Sequence, residues 1–486
     1  MHESHGMSPH LFKPICVPKK LALMAVHVAL AGCAAVGPDY RAPVAETPAQ
    51  WSVPTPHGGS VQRLGEWWRQ FDDPVLARLQ QAAEQDSPTL AVAWGNVEVA
   101  RATLASASAG TVPSVSGNLS VSRSRQRTVG TGTTRAASVD ASWELDLFGK
   151  VRRKVESAQA QVEARQSDWH DARVTLAAEV ASNYVEYRAC GLLVDIYEQE
   201  LVSIEQTAQA TESLVRAGLS PSTDGALARA TRASTTSSLI SQRSQCEGLV
   251  KALTDLTGLP DGELKALLAG AGSALPRTPG FAVQSVPAQL LRQRPDIASR
   301  ERDLAAASAE IGVVQADLYP SVQLGGSIGL SVTGGNPFTT WSFGPSLSVP
   351  LFDGGSRRAA VASARASQEI AYAQWRDAVR NAVKEVEQAL IGLDDANRRV
   401  VQAEQAAEEY RRYLVGAEAE RRAGTISLLT FEEARRQSLS AQLELIGLQR
   451  DQVTYWITLY KALGGGWDRE SPVSPPRSLA SGQTSE

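Results

Sequence analysis

Few side chains among these 486 residues are spaced for covalent chemistry. There are six His and four Cys, and beyond residue 32 no two sit at metal-ligand spacing. His57 and His170 have no evident Cys, Ser or carboxylate partner in the sequence that would make a nucleophile–base pair. Both read as surface histidines, and the chain as a non-enzyme without a cofactor. Cys33 is different. Lys19 and Lys20 precede the run LALMAVHVALAGC, so a basic start leads into a short apolar stretch and then small residues. That is the pattern of an export signal over 1–32, and it is too short to span a bilayer. Leu30–Cys33 resembles a bacterial lipobox, which implies that the Cys33 thiol takes a lipid as the first residue of the exported chain; plain signal cleavage beside an incidental Cys is the alternative. Ala34 follows, not the Asp that commonly retains lipoproteins at the inner membrane. Met7 is a second candidate start, and Cys16 leaves with the signal. Cys190 and Cys246 remain, in an oxidising compartment.

Three acids, Asp140, Glu144 and Asp146, share one parity of a strand pattern. Val139, Ala141, Trp143, Leu145 and Leu147 hold the other, and Val115, Gly117, Leu119 and Val121 alternate with Ser and Asn before the turn VGTGTT. This period of two with a turn signal predicts a hairpin at about 112–147. A second, with Val322, Leu324, Ile328 and Leu330, then Trp341, Phe343, Leu347 and Val349, is predicted at about 320–352. Strands of about ten residues with one apolar and one polar face suit a membrane barrel wall. Asp140, Glu144 and Asp146 would face its lumen and bias it toward cations. Arg123 and Arg125 share the apolar parity at the loop end, where they meet anionic lipid head groups or the register breaks. No other apolar run is long enough for a membrane helix, so a membrane-crossing chain must use a closed barrel. Four strands cannot close one; three chains would supply twelve.

The chain is duplicated. Arg-Ala-Gly recurs at Gly218 and Gly424, an offset of 206. Pro88 and Pro113 match Pro295 and Pro320 at 207, and Trp169, Glu179 and Arg229 match Trp375, Glu385 and Arg435 at 206. Such self-similarity marks two copies of one unit. Arg152 to Ala217 holds no Pro and one Gly, and Ser356 to Ala423 no Pro and two Gly. Each predicts one helix of roughly 100 Å if unbroken. Apolar residues three and four apart suit coiled-coil packing, and the Gly supplies the left-handed helix stop. The units run over 88–258, with a hairpin tip at 218–224, and 295–464, with a tip at 424–430. Residues 33–87 hold the anchor and an extended segment, 259–294 a Pro- and Gly-rich linker, and 468–486 a disordered tail. With net charge −4, 43% hydrophobic and 21% charged residues, nothing in the totals suggests nucleic acid.

CAAVGPDY, EWWRQFDDPVLARL, DLFGKVRR, RQRPDIASRERDLAAASAEIGVVQADLYPSV and ALGGGW together resemble the TolC/OprM-like outer-membrane efflux family, in its NodT-type lipoprotein branch. The resemblance covers nearly all of the mature chain. It implies an α+β homotrimer, with a twelve-stranded β-barrel in outer-membrane lipid and an α-helical tunnel through the periplasm. The partners it implies are a periplasmic adaptor and an inner-membrane pump of the RND type, with the channel a passive, gated conduit for small molecules. A type I protein-secretion duct is the alternative, disfavoured by Cys33. A periplasmic adaptor would show one helical hairpin rather than a duplication, and a purely structural lipoprotein would not need polar strand faces.

In that resemblance the hairpin tips close the tunnel, through an Arg two residues after the tip Gly and Asp residues further on. Here those positions are Ile426 and Thr430, with Glu433 the nearest acid. The expectation is that Arg421 or Arg422 pairs with Glu432 or Glu433 across neighbouring hairpins, with Leu428 and Leu429 near the constriction. Cys190 and Cys246 lie on opposite arms of the first hairpin, and half of 190 + 246 is 218, at its turn. They are nearly level, to within about one helical turn of roughly 5 Å, which leaves a disulfide or two buried thiols.

Overall fold

The structure, a computed structural model, describes residues 35–45, 51, 67–127, 130–272, 274–276, 294–467 and 472–474. The export signal, Cys33 and His57 lie outside the described residues. The elements are α1 (Pro74–Asp86), α2 (Pro88–Ala109), β1 (Ser114–Gln126), β2 (Gly130–Glu144), α3 (Lys150–Arg216), α4 (Ser222–Thr257), α5 (Asp261–Ala269), α6 (Pro295–Ala316), β3 (Ser321–Thr333), β4 (Asn336–Ser348), α7 (Ser356–Arg422) and α8 (Leu428–Ala462). The duplication is visible in lengths: α2 and α6 have 22 residues each, and α3 and α7 have 67 each. None of the described helices is long and apolar enough to cross a membrane.

The chain divides into two compact units. The first takes in residues up to 41, 102–159 and 305–369, and contains one antiparallel sheet of order β1-β2-β3-β4. In it the described segment that begins at residue 35 is tied to the start of α3. Val36 N donates to the Phe148 carbonyl at 3.0 Å. The buried Arg153 guanidinium donates to the Val36 carbonyl at 3.1 Å and to Asp39 at 2.8 Å. The second unit takes in 42–101, 160–304 and 370–486. Its core joins α1, α3 and α4 to α7 and α8 through Leu76, Leu79, Tyr184, Leu253, Leu390 and Ile457.

The segment before α1 is wedged into that core by aromatic packing. The Trp67 ring lies 4.5 Å from that of Tyr460 and 5.4 Å from that of Trp456, with Phe71 5.1 Å from Trp456. Asp73 then starts α1 as N-cap, its Oδ1 accepting from Val75 N at 2.9 Å and Leu76 N at 3.1 Å. Its other oxygen accepts from the Tyr184 hydroxyl at 2.7 Å and the buried Arg188 at 3.1 Å. Of the expected 259–294 linker, α5 buries Leu264 and Leu268 in the same core, and 277–293 lies outside the described residues.

Two expectations need correction. His170 is not a surface residue: it is 5% exposed, with its ring 4.9 Å from Trp169 and 5.8 Å from Trp467. The 3.6-residue turn of α3 carries it inward beside Trp169. The tail expected to be disordered holds a seated residue, since Val473 packs against Ala93, Val97 and Trp169. One apolar side chain in a Pro-rich stretch suffices for that, and most of 468–486 lies outside the described residues.

Candidate functional site

The strand wall is built by register. Gly117 pairs with Val139, Val139 with Ile328 and Ile328 with Trp341, which makes one row across all four strands. The next row on that face is Leu119, Ala137, Leu330 and Thr339. Their large apolar side chains face outward: Leu119 is 88% exposed, Trp341 77% and Phe343 73%. The opposite face reads Ser116, Asp140, Ser327 and Ser342, then Asn118, Ser138, Gly329 and Thr340. In β2 the polar residues are the half-covered ones. Alternation puts each set on its own side because successive strand residues point oppositely.

The three expected lumen acids separate. Asp140 stays on the polar face, its Oδ2 accepting from Asn118 Nδ2 at 2.6 Å and Ser138 Oγ at 2.9 Å. Glu144 is the last residue of β2, opposite Gln323. Asp146 is not a strand residue. Its φ is +46°, and its carboxylate accepts from Val151 N at 2.8 Å and Arg152 N at 3.1 Å. An acceptor for the free amides of the first helical turn holds more tightly there than in an open lumen. Asp353 does the same before α7, accepting from Gly355 N at 2.9 Å and Arg357 N at 3.2 Å. DLFGKVRR and PLFDGGSRR each hold a capping acid, at the first residue in one and the fourth in the other.

The two hairpin tips lie in the second unit. Gly218 has φ +72° and Gly424 φ +73°. Leu219 N donates to the Leu214 carbonyl at 2.9 Å, and Thr425 N to that of Glu420 at 3.0 Å. Gly218 N and Gly424 N reach the carbonyls of Val215 and Arg421 at 3.0 and 3.1 Å. Both are Schellman stops, which a left-handed residue closes at least cost when it lacks a Cβ. The arms then share a small core of Ala208 from α3, Ala228 from α4, Ala417 from α7, and Leu428, Phe431 and Ala434 from α8.

The charges near the second tip are not arranged as the sequence suggests. Arg422 bonds Glu418 at 2.5 Å along its own helix, and Arg421 donates to the Ile426 carbonyl at 3.4 Å. Neither reaches Glu432 or Glu433 within the chain. Glu433 is exposed, whereas Glu432 is buried and accepts from Arg435 Nη1 at 2.9 Å. Arg435, 3% exposed, also bonds Ser203 Oγ and Thr207 Oγ1 at 3.0 Å each and lies 3.4 Å from Glu200 on α3. Its guanidinium carbon stands 4.5 Å from the centre of the Phe431 ring. Burial pushes the Glu200 carboxyl up to about 7, opposed by the charge of Arg435 and reinforced by that of Glu432. Burial also raises Glu432, whose Oε2 has no hydrogen-bond partner. Leu428 is buried in the tip core, so of the two expected constriction residues only Leu429, 58% exposed, is free to face a neighbour.

Farther up the first hairpin, Cys190 and Cys246 are joined as a disulfide, with Cα atoms 5.7 Å apart. Their side chains are level across the antiparallel arms, so the bridge ties α3 to α4.

A strand wall with an apolar outer side, followed in each copy by a long helical hairpin, defines a channel-type protein of the outer membrane. Residues 79–259 and 286–465 match the family described as outer membrane efflux protein, one match over each copy. Nodulation protein T of Rhizobium leguminosarum bv. trifolii is 31% identical over 456 residues, covering 90% of this chain and 96% of the relative. The solvent efflux pump outer membrane protein SrpC of Pseudomonas putida is 30% identical, covering 92% and 98%. Among solved structures, the outer-membrane channel OprN superposes with a TM-score of 0.80 at 31% identity, over 89% of this chain and 99% of that one. The chain belongs to the outer membrane efflux protein family.

Proposed function

We propose that three copies of this chain form one twelve-stranded barrel and one helical tunnel, a gated conduit that exports small molecules. The observation that carries this is the sheet itself. It has two edge strands, β1 and β4, and one face on which large apolar side chains such as Leu119, Trp341 and Phe343 stand exposed. An unpaired strand edge is not tolerated in hydrocarbon, so each edge must pair with that of another copy. The chain contributes a passage and no catalysis. Energy and cargo come from an inner-membrane pump of the RND type, reached through a periplasmic adaptor that grips the hairpin tips. The names of the relatives support small organic compounds as cargo. Cys33 carries the lipid that adds membrane affinity by acyl burial. The second tip, with Leu429 exposed and Arg435 buried behind it, is the moving part of the gate.

The test is particle mass in detergent together with planar-bilayer conductance. Three chains per particle and discrete channels are expected; a monomer that conducts ions would overturn the reading.

A further inference from the structure

The outward face of the sheet is not uniformly apolar. Small residues leave a shallow groove of about 510 Å³, lined by Gly117, Leu119, Ala137, Val139, Ile328 and Leu330. An added Cβ on Gly117 would meet nothing within 4 Å, so this space is open. Continuing along β1 and β2 toward their turn, the same face changes character. Arg135 sits opposite Val121, Arg123 opposite Thr133 and Arg125 opposite Thr131. The register is unbroken through them, so all three arginines project from the apolar face. All three are exposed. None forms a hydrogen bond or ion pair among the described residues. From Val112 to Val139 there is no acid, and from Ser321 to Phe352 no charged residue at all. The positive charge therefore meets nothing negative on its own strands.

Arg135 lies two residues beyond Ala137, so the first cation stands about 7 Å past the groove. Arginines on a lipid-facing wall are tolerated near the membrane interface rather than at mid-depth, and at that level the anionic head groups of lipid are the counter-charge within reach. A guanidinium suits phosphate, which it binds with two parallel N–H donors. An apolar groove directly beneath suits an acyl chain.

We propose that this face is a binding site for a phosphorylated, acylated lipid of the outer leaflet, with its phosphates on Arg123, Arg125 and Arg135 and an acyl chain in the groove. The inference rests on the barrel reading above, which makes this face lipid-facing and puts the strand turns at the extracellular end. It names a partner that the export function does not require.

The experiment uses the purified trimer in phosphatidylcholine nanodiscs, scored by native mass spectrometry for retained lipid A. Wild type should retain lipid A against phosphatidylcholine, and its dephosphorylated form about a hundredfold less, on the order expected for three basic groups at an anionic surface. The triple variant R123Q/R125Q/R135Q should lose the same factor while keeping trimer mass and conductance. Gly117→Leu, which fills the groove, should weaken lipid A retention without changing the arginines. Equal retention of both lipid forms, or by the triple variant, would overturn the phosphate contact. Full displacement by millimolar inorganic phosphate would show a free-anion site and overturn the lipid assignment. Loss of the trimer or of conductance in wild type would instead sink the barrel reading beneath it.

Discussion

The two hairpin tips begin with the same three residues, stop their long helices with the same two hydrogen bonds, and then part. In the second copy, Arg435 is 3% exposed and shares five side-chain partners across α8 and α3. Its counterpart in the first copy, Arg229, is exposed and meets only Glu212, at 4.0 Å. The partners differ in sequence. Arg435 meets Glu200, Ser203 and Thr207, and the residues at the same offset in α7 are Ala406, Glu409 and Tyr413. The duplication copied the turn and not the pocket. A stop signal needs only one glycine, whereas a buried cation needs matched acceptors on another helix. The consequence is a division of labour. The first hairpin is braced covalently by Cys190–Cys246, and the second is tied to the first by a buried charge cluster between α8 and α3.

The largest effect should come from Arg435. Arg435→Met strands the Glu200 carboxylate without a counter-charge and leaves Glu432 only Arg436, at about 3–5 kcal/mol. Thermal unfolding of the trimer should show it as a large loss, while Arg229→Met stays within about 0.5 kcal/mol. Equal losses at the two sites would erase the distinction between the tips.

Next is the covalent brace. Replacing Cys190 and Cys246 by Ser should cost about 2–4 kcal/mol. The loss should concentrate in hydrogen-exchange protection of α3 and α4 rather than α7 and α8. Peptide mapping without reductant should recover the two cysteines as one linked species, and free thiols would remove the brace.

A third test is acid–base. The folded Glu200 carboxyl is held at about 7, above its ordinary value near 4.5. The folded form therefore binds the proton more tightly, and its contribution is full below about 4.5 and lost as pH rises through about 7. The groups facing it are Arg435 and Glu432, with Arg436 also acting on Glu432. Exchange protection at the start of α8 should fall between pH 5 and 8, while the first tip, from Gly218 to Asp224, stays level. Glu200→Gln should flatten the dependence, and a slope that survives it would point to another group.

The smallest effect belongs to the exposed tip charges. Arg422→Ala breaks only a pair along its own helix, worth about 0–1 kcal/mol. Single-channel conductance should stay close to wild type. An open channel from this substitution alone would return the gate to the surface charges.

Much of the fold was legible because it rests on local rules. The alternation of Val139, Ala141 and Trp143 with Ser138, Asp140 and Ser142 predicts the two faces that the register displays. The hairpins predicted at about 112–147 and 320–352 enclose β1–β2 and β3–β4. The candidate site was legible in place more than in contact. The tip glycines stand where the repeat put them, and within the one chain Arg421 and Arg422 bond to Ile426 and Glu418 rather than to Glu432 or Glu433. Asp146 read as a strand residue because the parity runs on unbroken past Glu144, the end of β2. Only the positive φ at Asp146 turns it back onto α3.

By itself the sequence determined the duplication, the 67-residue helices, their glycine stops and the two-faced strands, because each follows from stereochemistry within a few neighbouring residues. Tertiary structure decided which way the helices face. Each residue turns a helix by about 100°, and apolar spacings of three and four leave its phase open by about that much. That phase buries His170 and Glu432, brings Cys190 level with Cys246, and sets Arg435 against Ser203, a residue 232 positions away in the chain.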